Sequence, residues 1–419
     1  MLTLPATARR VRCLGRLRPQ RLISASLCAP LLCLALPLFA QQTSPSPAAS
    51  TSSDAPALIP RTQAQRVQDY LNEHRVILNV LVTDASGKPV TGLTQDDFHL
   101  RQDQQPLDIA TFRPAVGDTP IAPAHAILLL DMVDSPPKNT LYERKEIEKF
   151  LGRNQGHLPY PTSVAVFTGY GIKSSLPSQD GSLLIGEFRS LAGDVSPFEC
   201  APHDLAPDQE MAAAIYGPSY LSTVQSGAAA RHAANCLNRR FELAITSLDR
   251  LALRQSDVPG RVILVWIGPG WPQLAGTEFR PDSATIRSGF FHYLVDLSTA
   301  LREGQVTLDA VSEHGIFETA EVLGGHDEAF IDGTPGADQV TAASLSLPVL
   351  AHQSGGQVLE KNKSVADDIA ACIADAQSYY ALSFNSAPTE QPNEYHSLHV
   401  EVDRPGLSVR TNTVYYAQP

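Results

Sequence analysis

The sequence predicts an α/β protein: a mostly parallel sheet with helices on both faces, inserted into a small β-sandwich built from the N- and C-terminal segments. Three observations carry this. Four continuous apolar runs, at 126–130, 164–167, 262–267 and 306–311, suit strands buried on both faces. Helically spaced stretches stand between them, so the strands need crossover connections and pair in parallel. The segments at 76–113 and in the last forty residues lack such helices and have the short β-rich pattern of antiparallel strands.

Composition narrows the class. Of 419 residues, 43% are hydrophobic and 18% charged, which fits a globular chain with room for two or three domains. Residues 1–40 hold six of the 32 basic side chains and no acid, so the remainder carries 26 basic against 44 acidic, a net of −18. That balance argues against nucleic acid or an anionic membrane surface as partner.

The basic stretch Arg9 to Arg21, the apolar run 22–39 and Ala40 before Gln41-Gln42 fit a signal peptide spanning 1–40, cut after Ala40. Pro30 and Pro37 interrupt the run, which argues against a retained anchor. Cleavage would leave a chain with no membrane insertion, in a secreted or periplasmic setting. Residues 41–75 begin with a Ser/Pro/Ala/Thr-rich tract and form a linker.

The elements follow in order. Residues 76–82 (VILNVLV) form a strand, Asp84 to Pro89 a turn, and the stretches around 98–100 and 107–112 further strands of an N-terminal sandwich part, 76–118. The α/β domain, 119–378, opens with the 126–130 strand ending in Asp131. A helix over 142–155, the 164–167 strand and a helix over 183–191 come next. Residues 192–225, rich in Pro, Gly and Ser, are expected to be irregular, as is 271–289. Helices are expected over 228–253, 290–301, 345–351 and 365–376, with strands over 262–267, 306–311 and at 358–359. The C-terminal part, 379–419, returns to strands at 380–384, 396–402 and 407–416.

Three cysteines lie beyond residue 40. Cys200 and Cys236 bracket one irregular segment and are the candidate disulfide; Cys372 sits on an apolar helical face with Ile369 and Ile373 and reads as a buried thiol. Twelve histidines form no HExxH or His-x-His pair, no Gly-x-Ser-x-Gly elbow occurs, and GPGWP (268–272) lacks the Lys-Ser/Thr of a phosphate loop. Trp271 in that segment is a candidate exposed contact, or else a ring folded back over the sheet.

Taken in order, VLVTDASGKPVTGLTQDDFHLRQDQQPLDIATF (80–112), ILLLDMVDS (127–135), RRFELAITSLDRLA (239–252), PGRVILVWIGPGWP (259–272), LAHQSGGQVL (350–359), DIAACIADAQSYYALSF (368–384) and HVEVDRPGLSVR (399–410) resemble the von Willebrand factor A (VWFA)-related family of secreted acidobacterial proteins. The resemblance implies a VWFA-like, Rossmann-like layered core. It also implies a metal-ion-dependent adhesion site at the strand ends: an Asp-x-Ser-x-Ser motif completed by a later Thr and Asp, holding Mg²⁺. Asp131 and Ser135 match. Val133 replaces the middle Ser, Asn238 and Arg239 stand where the Thr is expected, and Ile267-Gly268 stands where the later Asp should be. Two of five ligands would bind a divalent ion weakly, and Asp131 reads more simply as a cap of the following turn.

The expected function is therefore a non-enzymatic, extracytoplasmic protein-binding module with a degenerate metal site and no resident cofactor. Asp134 and Trp271 are its candidate partner contacts. A divalent-metal-dependent adhesin using Asp131 and Ser135 is the alternative. A hydrolase is remote, because no nucleophile–base–orienter set can be named.

Overall fold

A computed structural model describes residues 74–115, 124–193, 198, 218–271, 284–313, 331–360 and 364–418, with 378, 387, 388 and 390 outside that set. The expected signal peptide, almost all of the linker, and Cys200 lie outside the described residues.

In chain order the N-terminal strands are β1 (Arg75–Thr83), β2 (Phe98–Gln102), β3 (Gln105–Leu107) and β4 (Thr111–Ala115). There follow β5 (His125–Asp131), α1 (Pro137–Leu151), β6 (His157–Thr168), β7 (Gly171–Ser174), β8 (Ser178–Asp180), α2 (Gly181–Gly193) and α3 (Pro218–Gln255). Next come β9 (Val262–Ile267), α4 (Ala284–Glu303), β10 (Val306–Ser312), α5 (Leu347–Gln353), β11 (Val358–Glu360) and α6 (Val365–Ala374). The chain closes with β12 (Tyr379–Asn385), β13 (Glu394–Val402), β14 (Ser408–Arg410) and β15 (Val414–Ala417).

The fold is mixed α/β. A seven-stranded sheet has the order β11-β10-β9-β5-β6-β7, with β8 also on β6. Pairing is parallel from β11 through β6, and only β7 and β8 run antiparallel. Helices cover both faces. Phe241, Ile245 and Leu248 of α3 and Leu294 and Leu297 of α4 pack on one side, with Ile127, Leu129, Leu264 and Trp266 of the sheet. Ile147 and Phe150 of α1, Phe188 of α2 and Ile369 of α6 pack on the other, with Leu128, Leu130, Ile263 and Val265. Successive sheet residues thus serve opposite cores, as a period of two demands.

Two antiparallel four-stranded sheets, β14-β1-β12-β4 and β15-β13-β2-β3, each combine strands from both chain ends. Val76, Leu78, Val80 and Val82 alternate along β1 and meet Leu382 and Phe384 of β12, Phe98 and Leu100 of β2, and Leu398 and Val400 of β13. Strand β15 joins this core to the parallel layer. Tyr415 and Ala417 point into the sandwich, whereas Val414 and Tyr416 join the cluster around α3 and α4. The described residues belong to one compact unit.

Two expectations need correction. Helix α3 starts at Pro218, so 218–225 is helical; proline is well suited to the first helical position, and the alanine-rich run beyond it favours continuation. Residues 284–289 likewise belong to α4. The antiparallel β7 and β8 strands were not expected from their polar, Ser-rich sequence.

Candidate functional site

In open α/β sheets the crevice for a ligand lies beyond the carboxyl ends of the strands, where the strand order reverses. Here β6 lies to one side of β5 and β9 to the other, so the reversal falls at the end of β5. Asp131 is the last residue of that strand. It is fully buried and its oxygens are engaged from within the chain. Oδ1 accepts the amides of Val133 at 3.0 Å and Asp134 at 2.9 Å, and Oδ2 accepts Trp266 Nε1–H at 3.3 Å. The Asp therefore organises its own turn and ties it to β9.

The loop after it points inward. Val133, where the resemblance implies a Ser, packs in the cluster with Trp266 and Trp271. Ser135 Oγ donates to Glu143 Oε2 of α1 at 3.1 Å. Asp134 is not a surface contact: its side chain is buried and paired with Arg240 of α3. Arg240 also approaches the Val133 carbonyl at 3.4 Å.

Gly268 holds the remaining space. Its φ is +137°, and a Cβ there would lie 2.7 Å from Asp131 Cβ and 2.9 Å from Ser135 Oγ. The glycine backbone thus abuts Asp131 and Ser135 where the resemblance implies an additional carboxylate. Asp131, Ser135 and Gly268 are brought together, but this donor set does not make the cage of six oxygens that Mg²⁺ requires. Among the described residues, no group of three or more His, Cys, Asp or Glu converges so as to hold a metal ion.

Trp271 is also corrected from an exposed contact to a core residue. It is 2% exposed, its Nε1–H donates to the Leu345 carbonyl at 2.8 Å, and its ring meets Trp266 edge-on at 5.2 Å. The positive φ angles of Gly268 and Gly270 occur in the segment that carries Trp271 back over the sheet. Cys236 is disulfide-bonded, with its partner outside the described residues, and Cys372 is a buried free thiol.

The site is electrostatically tense. Burial, reinforced by the charge of Asp134, raises the Asp131 carboxyl, against the pull of its three N–H donors. Burial raises Asp134 as well, and Arg240 only partly offsets it. Burial lifts Glu143 to about 7, opposed by the Ser135 hydrogen bond and aided by the charge of Glu313. Arg240 and Glu143 were not singled out by sequence reasoning. For Glu143 a signal exists: it lies four residues before Ile147 and seven before Phe150, on the buried stripe of α1.

Glu143 gives a signed pH prediction. Its carboxyl rises from 4.5 to about 7 on folding, so the folded chain holds a proton that the unfolded chain releases between these values. Stability from this group is greatest at acid pH and falls as pH rises toward about 7. Glu143→Gln is therefore expected to gain about 2–3 kcal/mol near pH 8 and much less near pH 5 in urea melts. A loss of stability near pH 8 would count against this electrostatic reading.

No protein-family model matches the chain, and no curated protein matches it. Among solved structures, the human COPII-coat protein Sec24c aligns over 71% of this chain and 44% of its own, at 6% identity and a TM-score of 0.27. The chain spans less than half of that protein's length, and a likeness this slight carries no argument about function.

Proposed function

We propose that the chain is a non-enzymatic, extracytoplasmic protein-binding module. Its VWFA-like layer presents the strand-end rim to a protein partner, and the metal site implied by the family resemblance is degenerate. The observation that supports this reading is the internal closure of the site. Arg240 supplies the positive charge beside Asp134, while Asp131 and Ser135 hydrogen-bond within the chain.

The same rim exposes an aromatic group. Tyr170, in the turn between β6 and β7, is 91% exposed, and the register of Asp131 with Phe167 puts that turn at the strand-end edge. Tyrosine suits a protein contact because it offers a large, stiff, amphipathic ring. Tyr170 replaces Trp271 and Asp134 as the contact on which the proposal rests.

The test is capture of an extracytoplasmic partner by the purified chain in EDTA and in millimolar Mg²⁺, with wild type and Tyr170→Ser. Equal capture in both buffers and at least about tenfold weaker capture by the variant are expected, the size of loss typical for a central aromatic contact. Capture that requires the divalent ion would point to a metal-dependent adhesin instead. Undiminished binding by Tyr170→Ser would remove the turn from the interface.

A further inference from the structure

A second candidate site lies at the opposite edge of the parallel sheet, beside the start of β10. A cavity of about 530 Å³ opens there between the end of α4 and strands β1 and β15. Its volume falls in the range of small-molecule sites, and it lies between two packing layers, a frequent location for such sites. Arg302 and Glu303 come from α4, Arg75 and Ile77 from β1, and Tyr415 and Tyr416 from β15.

The polar groups of this wall are unevenly matched. Arg302 is largely buried and pairs with its chain neighbour Glu303 at 3.2 Å. The Nε atoms of both Arg302 and Arg75 are buried with no hydrogen-bond acceptor among the described residues. His74 also lines the cavity, and Glu303 is the acidic side chain in its lining. Position at a helix C-terminus accounts for Arg302 alone, because the last carbonyls of α4 attract a cation. It does not account for Arg75 on the facing strand.

The tyrosine hydroxyls are engaged by groups other than the arginines, Tyr415 Oη also lying 3.2 Å from Ser386 Oγ. Tyr415 Oη donates to Gln102 Oε1 at 2.9 Å, and Tyr416 Oη donates to the Thr334 carbonyl at 3.1 Å. Neither hydroxyl serves the Nε–H groups of Arg75 and Arg302, which have no acceptor among the described residues. A guanidinium has donors and no acceptor, and the two in this lining bring more donors than the Glu303 carboxylate alone can accept, so an oxyanion is the complementary ligand.

We propose that this cavity binds a small molecule through an oxyanion, carboxylate or phosphate, held by Arg75 and Arg302. The site is remote from the rim and does not depend on the function proposed for it.

The test is isothermal titration of the full chain with succinate and, separately, inorganic phosphate, at constant ionic strength set by chloride. Saturable binding of either probe is expected; succinate alone would assign a carboxylate ligand, phosphate alone a phosphoryl ligand. Ile77 is 38% exposed and lines the cavity without being one of its cations. Ile77→Glu should weaken binding at least tenfold by placing a negative charge beside the arginines, while Ile77→Gln should retain it. Arg302→Met should also lose binding, with Ile77→Glu as the variant that leaves both guanidinium groups in place. Absence of saturable binding by either probe, or equal binding by Ile77→Glu and Ile77→Gln, would overturn the proposal.

Discussion

Arg240→Met is expected to destabilise the protein by about 3–5 kcal/mol near pH 8, the range for removing one partner of a buried ion pair. Asp134 is the reason. Its side chain has no exposure, and Arg240 on α3 is its cation. Burial already raises the Asp134 carboxyl with Arg240 present, so without it the group should titrate still higher. The raised acid binds its proton as pH falls, and the variant's deficit should shrink at acid pH. Arg240→Met combined with Asp134→Asn should recover most of the loss near pH 8. Denaturant melts of the two single variants and the double variant at two pH values check this. A deficit that persists unchanged in the double variant would show that Arg240 acts by packing and not by charge.

Gly268→Ala is the second large effect, with an expected loss of at least about 3 kcal/mol from an unfavourable backbone region combined with overpacking. The φ of +137° already disfavours any L side chain, and the added methyl would meet Asp131 Cβ at 2.7 Å and Ser135 Oγ at 2.9 Å. Both neighbours are hydrogen-bonded in place, so neither yields freely. Gly289 provides the contrast. It lies within α4 and has nothing within 4 Å of a built Cβ. Gly289→Ala should raise stability by about 0.5–1 kcal/mol through helix propensity and a less flexible unfolded chain. Thermal melts of the two variants should move in opposite directions. A Gly268→Ala variant that melts like wild type would count against steric conflict between residue 268 and the Asp131 loop.

Part of the candidate site is legible in the sequence. ILLLD places a carboxylate at the end of a doubly buried strand, and Asp131 is there. Its turn-capping role follows from the ordinary chemistry of an Asp followed by a short loop. The inward turn of Trp271 was not readable, since Gly-Pro-Gly-Trp-Pro suits an exposed turn as well as a ring folded onto Trp266. Nor was the partner of Asp134. Arg240 is more than a hundred residues away, and Arg239 beside it offers the same charge to any reader of the sequence. Helical phase and the packing of α3 select between them.

Local patterning determined the order of strands and helices, because continuous apolar runs and helical spacings arise from neighbours a few residues apart. It also carried the pairing of chain ends, since β-rich stretches flanking an α/β core need partners and β1 finds one in β12. Which carboxylates lose contact with water, which arginine stands beside them and which glycine abuts them depended on distant segments meeting across the sheet edge. Desolvation and close contact exist only once those segments are packed. The chemical character of the rim is therefore a property of the assembled layers, and no single stretch of sequence contains it.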